Sequence, residues 1–426
     1  MIRILEFSKV RPEEILNRAI QTETEVDEIV AGILADVREN GDAALRKYAE
    51  KFDGAALDSL EVAPEEIEAG YAAADPEFIR TLEMAAANIR EFHHKQVHND
   101  FALTRADGVL MGQRYTPIEK AGVYVPGGTA SYLSTVLMDV IPAKIAGVSE
   151  IVMVTPPRKD GSLAPDLLAA AKIAGVTRIF KSGGAQAIGA LAYGTESIPP
   201  VDKIVGPGNI FVAVAKRKVF GLVSIDMIAG PSEILVLADG KCDPRYVAAD
   251  MLSQAEHDRR ATAVLVTDSR ELAAAVQREL ETQLSVLPRE AIARESIETT
   301  GKIILTDDLD KAVEAANRIA PEHIELCVDD PFALLGKIKN AGSIFLGRNV
   351  PEALGDYFAG PNHTLPTGGT ARFSSPLSVD DFVKKSSFLY YSREALAAAA
   401  PRIADFADRE GLHGHARSVL IRSEKD

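Results

Sequence analysis

Between Arg114 and Leu346 the chain alternates short apolar runs with segments of helix length, a pattern that few architectures accommodate. A strand is predicted over residues 122–125, followed by the turn Pro126-Gly127-Gly128, a helix, and a second strand over 151–155. A helix over 167–174, a strand over 178–181, the turn Gly183-Gly184, a helix over 185–192, a strand over 203–205 and the turn Gly206-Pro207-Gly208-Asn209 continue the series. Strands that alternate with helices of this length form a parallel sheet with right-handed crossovers. A second series begins with a strand over 234–237 and continues with strands over 263–267, 302–306, 324–328 and 343–346; its helices fall over 311–319, over 331–340 and in a long stretch from Glu271. The prediction is α/β: two Rossmann-like parallel-sheet domains, incomplete and duplicated at the level of fold, with no residue-by-residue repeat.

Ahead of them, Val26, Ile29, Val30, Ile33, Leu34 and Val37 recur at helical spacing up to a break at Gly41-Asp42, and Pro64 and Pro76 each open a further helix. Residues 1–123 are therefore expected to be mainly helical and to pack with 235–375 as one α/β domain, with 124–234 forming the other. Residues 376–426 read as a helical tail, with a helix over 395–409. Residues 348–378 are rich in Gly, Pro, Ser and Asn, and a loop of that length in a compact domain points to function.

The three glycine-bearing turns after strands present free backbone N–H groups at helix N-termini, which suits a phosphate or pyrophosphate. Gly206-x-Gly208 lacks the third glycine of the dinucleotide fingerprint, so spacing by itself does not specify NAD, and ordinary tight turns explain each one alone. A chain of 426 residues with a formal net charge of −15 is a poor partner for nucleic acid or an anionic membrane, leaving small molecules as the expected ligands. Its two cysteines, Cys242 and Cys327, allow no disulfide framework and no Cys-rich metal site, and Cys327 reads as a core thiol. No apolar leader or spanning run is visible, so a cytoplasmic location is expected.

The segment Asp250 to Asp258, DMLSQAEHD, carries the strongest chemical signal. On a helix, Val247, Met251 and Ala255 form an apolar face with Asp250, Gln254 and His257 along its edge. His257, Asp356 and His415 would make an open zinc site, but each also has a plain role, as a helix-end histidine, a turn aspartate and a surface residue respectively. Gln254 is not a ligand that spacing selects. Glu322-His323 is the acid/base candidate, against the alternative of a polar loop between helix and strand. His94 and His98 stand four apart at the end of a helix, a spacing that could hold a metal, in polar surroundings typical of a solvated helix end.

GVYVPGG at Gly122, STVLM at Ser134, GGAQAIGALAYGTESIP at Gly183, VDKIVGPGN at Val201, AGPSE at Ala229, MLSQAEHD at Met251, PEH at Pro321, GPNHTLPT at Gly360, LSVDDF at Leu377 and EGLxxHARSV at Glu410 together resemble the histidinol dehydrogenase family, along nearly the whole chain. The resemblance implies a homodimeric enzyme with one zinc per subunit that uses two NAD in succession to oxidise L-histidinol, by way of L-histidinal, to L-histidine, the last steps of histidine biosynthesis. It implies zinc ligation by Gln254, His257, Asp356 and His415, with His323 as general base and Glu322 activating water. Ser232, Gln254, His257, His323, Asp356, Tyr357, His363, Glu410 and His415 would contact substrate, and Tyr124, Gln186 and Asn209 would contact NAD. The C-terminal tail would cross to the partner, so that Glu410 and His415 complete the other subunit's site; His413 is given no role. Other readings are a related zinc enzyme acting on another small alcohol, such as a sulfonated diol, or a zinc hydrolase that uses Glu322 and no nucleotide.

Overall fold

The computed structural model describes residues 1–10, 24–127 and 132–423; Gly128, the last residue of the first glycine turn, lies outside them. Strand β1 (Arg3–Glu6) precedes helix α1 (Thr24–Tyr48), which kinks at Gly41. There φ is +49°, and a side chain would run into the Glu196 carboxylate, which accepts a hydrogen bond from Asp42 N at 2.8 Å. Helices α2 (Pro64–Ala73) and α3 (Pro76–His94) start on their prolines, as predicted, where no backbone hydrogen bond is lost. Strands β2 (Phe101–Thr104) and β3 (Val109–Pro117) follow.

The first parallel series is β4 (Lys120–Tyr124), α4 (Leu133–Ala146), β5 (Glu150–Thr155), α5 (Pro165–Ala174), β6 (Arg178–Lys181), α6 (Gly184–Tyr193), β7 (Lys203–Val205), α7 (Ile210–Val219) and β8 (Ser224–Ile225). The second is β9 (Glu233–Ala238), α8 (Pro244–Ala255), β10 (Thr262–Thr267), α9 (Arg270–Leu284), α10 (Glu290–Thr299), β11 (Lys302–Leu305), α11 (Leu309–Ile319), β12 (His323–Cys327), α12 (Pro331–Leu335) and β13 (Ser343–Leu346). A single turn, α13 (Glu352–Leu354), then β14 (Val383–Tyr391), α14 (Arg393–Arg409) and α15 (His413–Leu420) complete the chain.

The five-stranded sheet runs β6-β5-β4-β7-β8 and the six-stranded one β1-β11-β10-β9-β12-β13, with every pairing parallel. Apart from β1, both have one topology: the first strand of each series lies at the centre, its second and third to one side, its fourth and fifth to the other. The duplication expected from the pattern is therefore a duplication of strand order. Both sheets are covered on two faces, which is why β5, β9 and β10 read as nearly unbroken apolar runs.

The chain divides into two compact units. One holds Met1–Gln96 and Glu119–Phe382, with both parallel sheets. In it, β1 pairs with β11 of the six-stranded sheet, whereas α1 packs on α6 and α7 of the five-stranded one, so residues 1–123 divide between the sheets instead of joining 235–375 as a block. The other holds Val97–Ile118 and Val383–Asp426, an antiparallel sheet of order β14-β3-β2 with helices α14 and α15. The tail carries the expected helices α14 and α15, and nine residues ahead of them also pair with β3, in a stretch whose lysines and serines show no two-residue alternation. Helix α12 also stops early, at Gly336. No helix among the described residues is long and apolar enough to cross a membrane.

Buried charge marks the interior of the first unit. Lys216 is sealed beneath the Gly206 turn, bonding the Gly206 carbonyl at 2.9 Å and pairing with Asp226, whose other oxygen accepts from Gly206 N at 2.9 Å. Asp139 on α4 is fully buried; burial pushes its carboxyl up to about 8, although Thr364 Oγ1 donates to it at 2.8 Å. A carboxyl with a folded-state pKa raised above its unfolded value stabilises the fold fully at low pH, and that contribution falls as pH rises toward about 8. Asp139→Asn should remove this fall, so that the variant gains on wild type between pH 5 and pH 8 by on the order of 4 kcal/mol. Urea midpoints at the two pH values measure the difference.

Candidate active site

The site begins with two neighbouring strands of the six-stranded sheet. In the β9–β12 register His323 lies opposite Ile234, which puts Glu322 and His323 beside Ser232 and Glu233 at the amino ends of both strands. Glu233 N–H donates to Glu322 Oε2 at 2.8 Å, and the Glu233 carbonyl accepts from His323 Nδ1 at 3.0 Å. A carbonyl only accepts, so Nδ1 carries the hydrogen and Nε2 is the nitrogen that gains or loses a proton.

His323 Nε2 is buried with no hydrogen-bond partner, 3.4 Å from Asp356 Oδ1 and 4.0 Å from Glu352 Oε1. One ligand atom from each of His323, Glu352 and Asp356 lies within 4.8 Å of the other two, a spacing suited to a cation. Burial opposes charge on the imidazole, but Glu322, Asp356 and Glu352 outweigh it and lift His323 to about 10. Burial raises Glu322 to about 8 and Glu352 to about 8. It opposes ionisation of Asp356 as well, yet the adjacent His323 ring holds that carboxyl well below its usual range.

Asp356 sits on a π-type turn, Gly355–Ala359, inside the loop flagged as functional, and its carbonyl accepts from His363 Nδ1 at 3.0 Å. Gln254, near the C-terminal end of α8, is buried; its Nε2 donates to Glu352 Oε1 at 2.8 Å while its Oε1 is buried without a partner. A stranded buried carbonyl costs about 1–3 kcal/mol, so this atom calls for a donor or a cation. His257, just past α8, opens onto the cleft; desolvation there keeps its pKa below the usual value, as burial does for His363.

These residues line one cleft of about 420 Å³, which includes Ser232, Gln254, His257, Glu322, His323, Asp356, Tyr357 and His363, and also Tyr124 and Asn209. A larger cavity of about 950 Å³ adjoins it and shares Tyr124 and Asn209. Gln186, Thr155 and the start of α6 line this second cavity, at the carboxyl ends of β4, β5 and β6. Tyr124 OH accepts from Gly184 N at 3.1 Å, and Asn209 Oδ1 caps α7 through Phe211 N at 3.0 Å. A ligand crevice belongs here, where the strand order reverses between β4 and β7.

Ten of the sequence-derived site residues thus meet in the cleft and Gln186 lies in the adjoining cavity, while Glu410 and His415 are exposed in the second unit. Helix α3 ends at His94, so His94 and His98 do not share a helix face; His98 stacks on Tyr115. Both cysteines are buried. Sequence reading missed Glu352, hidden in a loop segment read as irregular although it lies four residues before Asp356, the spacing of one helical turn. It also missed Thr135, whose Oγ1 lies 3.4 Å from His363 Nε2.

Two duplicated parallel sheets, a nucleotide-sized cavity at the switch point of one and a buried His–carboxylate centre on the other define an α/β enzyme of the dehydrogenase class. The histidinol dehydrogenase family model matches residues 16–423. The histidinol dehydrogenase of Geobacillus kaustophilus is 55% identical over 422 residues, covering 99% of this chain and 100% of that one. That of Clostridium acetobutylicum is 52% identical over 426 residues, 99% of each. The crystal structure of histidinol dehydrogenase from Elizabethkingia anophelis aligns with a TM-score of 0.94 at 38% identity, covering 99% of this chain and 98% of that one. The chain belongs to the histidinol dehydrogenase family, NAD-dependent oxidoreductases of histidine biosynthesis.

In the metal-free protein, three carboxyl groups around one imidazole should keep the His323 ring protonated to about pH 10, while His257 and His363 are neutral above pH 6.5. NMR of ring-labelled histidines reads each titration, and a His323 ring that loses its proton below 6.5 would contradict this account of the site.

Proposed function

We propose that this protein oxidises L-histidinol to L-histidine through bound L-histidinal, reducing two NAD in succession, with zinc in the cleft. What carries the reading is the convergence of Ser232, Gln254, His257, Glu322, His323, Asp356, Tyr357 and His363 on one cleft that shares Tyr124 and Asn209 with the larger cavity.

The donor set fits zinc. Asp356 is held ionised, His257 is favoured in its neutral form with one ring-nitrogen lone pair to offer, and Gln254 Oε1 is a buried oxygen lacking a partner. Imidazole nitrogen with hard oxygens is a common set for this ion. The metal would be held by Gln254, His257 and Asp356 together with His415 of the partner subunit, and would fix the substrate's imidazole and amine beside His323. Asp356 would then answer a second cation, its lift on the His323 imidazole would weaken, and Nε2 could serve as a base near neutral pH.

The chemistry divides between two side chains. His323 Nε2 takes the hydroxyl proton as hydride leaves the substrate carbon for the first NAD, giving the aldehyde. Glu322 keeps Oε2 on Glu233 N–H and uses Oε1 to take a proton from water as that water adds to the aldehyde, whose oxygen takes back the proton held on His323 Nε2 and leaves the imidazole neutral again. His323 then accepts the hydrate's proton as a second hydride leaves, and the acid results. A Glu322 carboxyl poised at about 8 suits a base working at neutral pH.

Tyr124, Gln186 and Asn209 would contact the nucleotide along the larger cavity. Ser232, Tyr357 and His363 would contact substrate, as would Glu410 of the partner subunit. The working form is a cytoplasmic homodimer in which Glu410 of the partner subunit and His415 of the partner subunit complete each site; in support, both positions are exposed on the second unit and carry side chains suited to that use.

The test is NADH formed per L-histidinol, before and after chelation and with zinc restored. Two NADH per substrate, lost with the metal and regained with it, is the expected result; a folded, zinc-loaded protein that forms none overturns the proposal. His323→Gln should slow both oxidations by about 10²–10⁴-fold. Glu322→Gln should spare the first, so that yield falls toward one NADH per histidinol and aldehyde accumulates for trapping by a hydrazine reagent.

A further inference from the structure

Gln254 is an unusual choice of metal ligand, because its amide can present either a carbonyl oxygen or an NH₂ group to the same space, and only the oxygen can ligate. Something must fix which end faces the cleft, and Glu352 is placed to do so. It is buried, and both of its carboxyl oxygens are engaged from α8: Oε1 by Gln254 Nε2 at 2.8 Å and Oε2 by Ser253 Oγ at 3.0 Å. Its backbone N–H is anchored in turn on Glu325 Oε1, at 2.8 Å, in the central part of β12. With the nitrogen drawn to Glu352, the opposite end of the amide is the buried, unpartnered Gln254 Oε1 in the wall of the cleft. The same turn that carries Glu352 leads directly into Asp356.

We propose that Glu352 is a positioning residue that orients the Gln254 amide, drawing Nε2 to itself and presenting Oε1 to the metal. The inference rests on the zinc reading above. Glu352 is within reach of His323 and Asp356 and would itself be a ligand under the competing account. The two accounts differ in what they require: a ligand must keep an oxygen at position 352, whereas a positioning partner needs only a donor on one residue and an acceptor on the other.

The experiment is a zinc affinity measurement by chelator competition on the metal-free protein, with thermal unfolding of each metal-free variant followed alongside. Glu352→Ala should weaken zinc binding about 10–100-fold, the range found when a group supporting a metal ligand is removed. Glu352→Gln, nearly isosteric and expected to fold, offers one acceptor to two donors and should fall within or just short of that range. Combining Glu352→Gln with Gln254→Glu reverses the pair, so that an amide at 352 donates to a carboxylate at 254, and should bind zinc at least several-fold more tightly than Glu352→Gln alone. Gln254→Glu alone sets two carboxylates face to face and should not show that gain.

Wild-type affinity in both single variants at position 352 overturns the proposal. So does a reversed pair no better than Glu352→Gln, the result expected if Glu352 were a ligand. A wild-type protein that binds no zinc in the same titration defeats the metal reading itself, which separates that failure from a failure of the role given to Glu352.

Discussion

The buried centre of the cleft depends on the two hydrogen-bonding groups of one residue. Glu233 N–H holds Glu322 and the Glu233 carbonyl holds His323, at 2.8 and 3.0 Å, so a single backbone position fixes a carboxylate and an imidazole that follow one another in sequence. Adjacent side chains on a regular strand point to opposite faces; these two work together because Glu322 lies just ahead of β12, where the chain has not yet entered the pleat. The β9–β12 register therefore acts on the chemistry directly. A slip of one residue would invert every side chain of β12 and withdraw His323 from the cleft. The apolar run Ile234–Leu237 and the apolar side chains of Ile324 and Leu326, all buried, resist such a slip.

Around that anchor the site gathers more negative charge than it can hold alone. Glu322, Glu352 and Asp356 surround one imidazole, and behind them Glu325 and Asp250 form a second buried pair in which burial raises both carboxyls. Without a metal the arrangement is balanced by protons, through an imidazolium at His323 and neutral carboxylic acids. Under the proposed function a divalent cation among these groups would do the same work more completely and would free His323 to act as a base. Crowded carboxyl groups around one imidazole are thus an arrangement suited to a cation.

The alternation of strands and helices was legible because the central parallel strands are buried on both faces and most helices of the two series begin or end on Pro, Gly or a capping residue, such as Asp243 before α8 or Asp308 before α11. The antiparallel β3–β14 pairing was not, since β14 carries Lys384, Lys385, Ser386 and Ser387 and its partner lies more than 260 residues away in sequence. For the site, the residue types in DMLSQAEHD and PEH announced chemistry. Their convergence did not appear in any spacing: it comes from strand order, which makes β9 and β12 neighbours although α8, β10, α9, α10, β11 and α11 lie between them. Glu352 escaped notice for a related reason, as its meaning resides in Gln254, 98 positions earlier.

The two sheets share a strand order but expose opposite ends to function. In the five-stranded sheet the cavity opens at the carboxyl ends, beside the switch point between β4 and β7, where such folds place nucleotides. The matching crevice of the six-stranded sheet lies between β9 and β12, and there it is closed: the Arg348 guanidinium bridges Asp239, which follows β9, at 2.6 Å and Asp329, beyond β12, at 2.8 Å. Cys242 and Cys327 are buried at the same end. Its amino ends supply Ser232, Glu322 and His323 instead. An arginine spans one crevice and the far end of that sheet carries Glu322 and His323, so under the proposed function the two halves would take different parts in a single reaction.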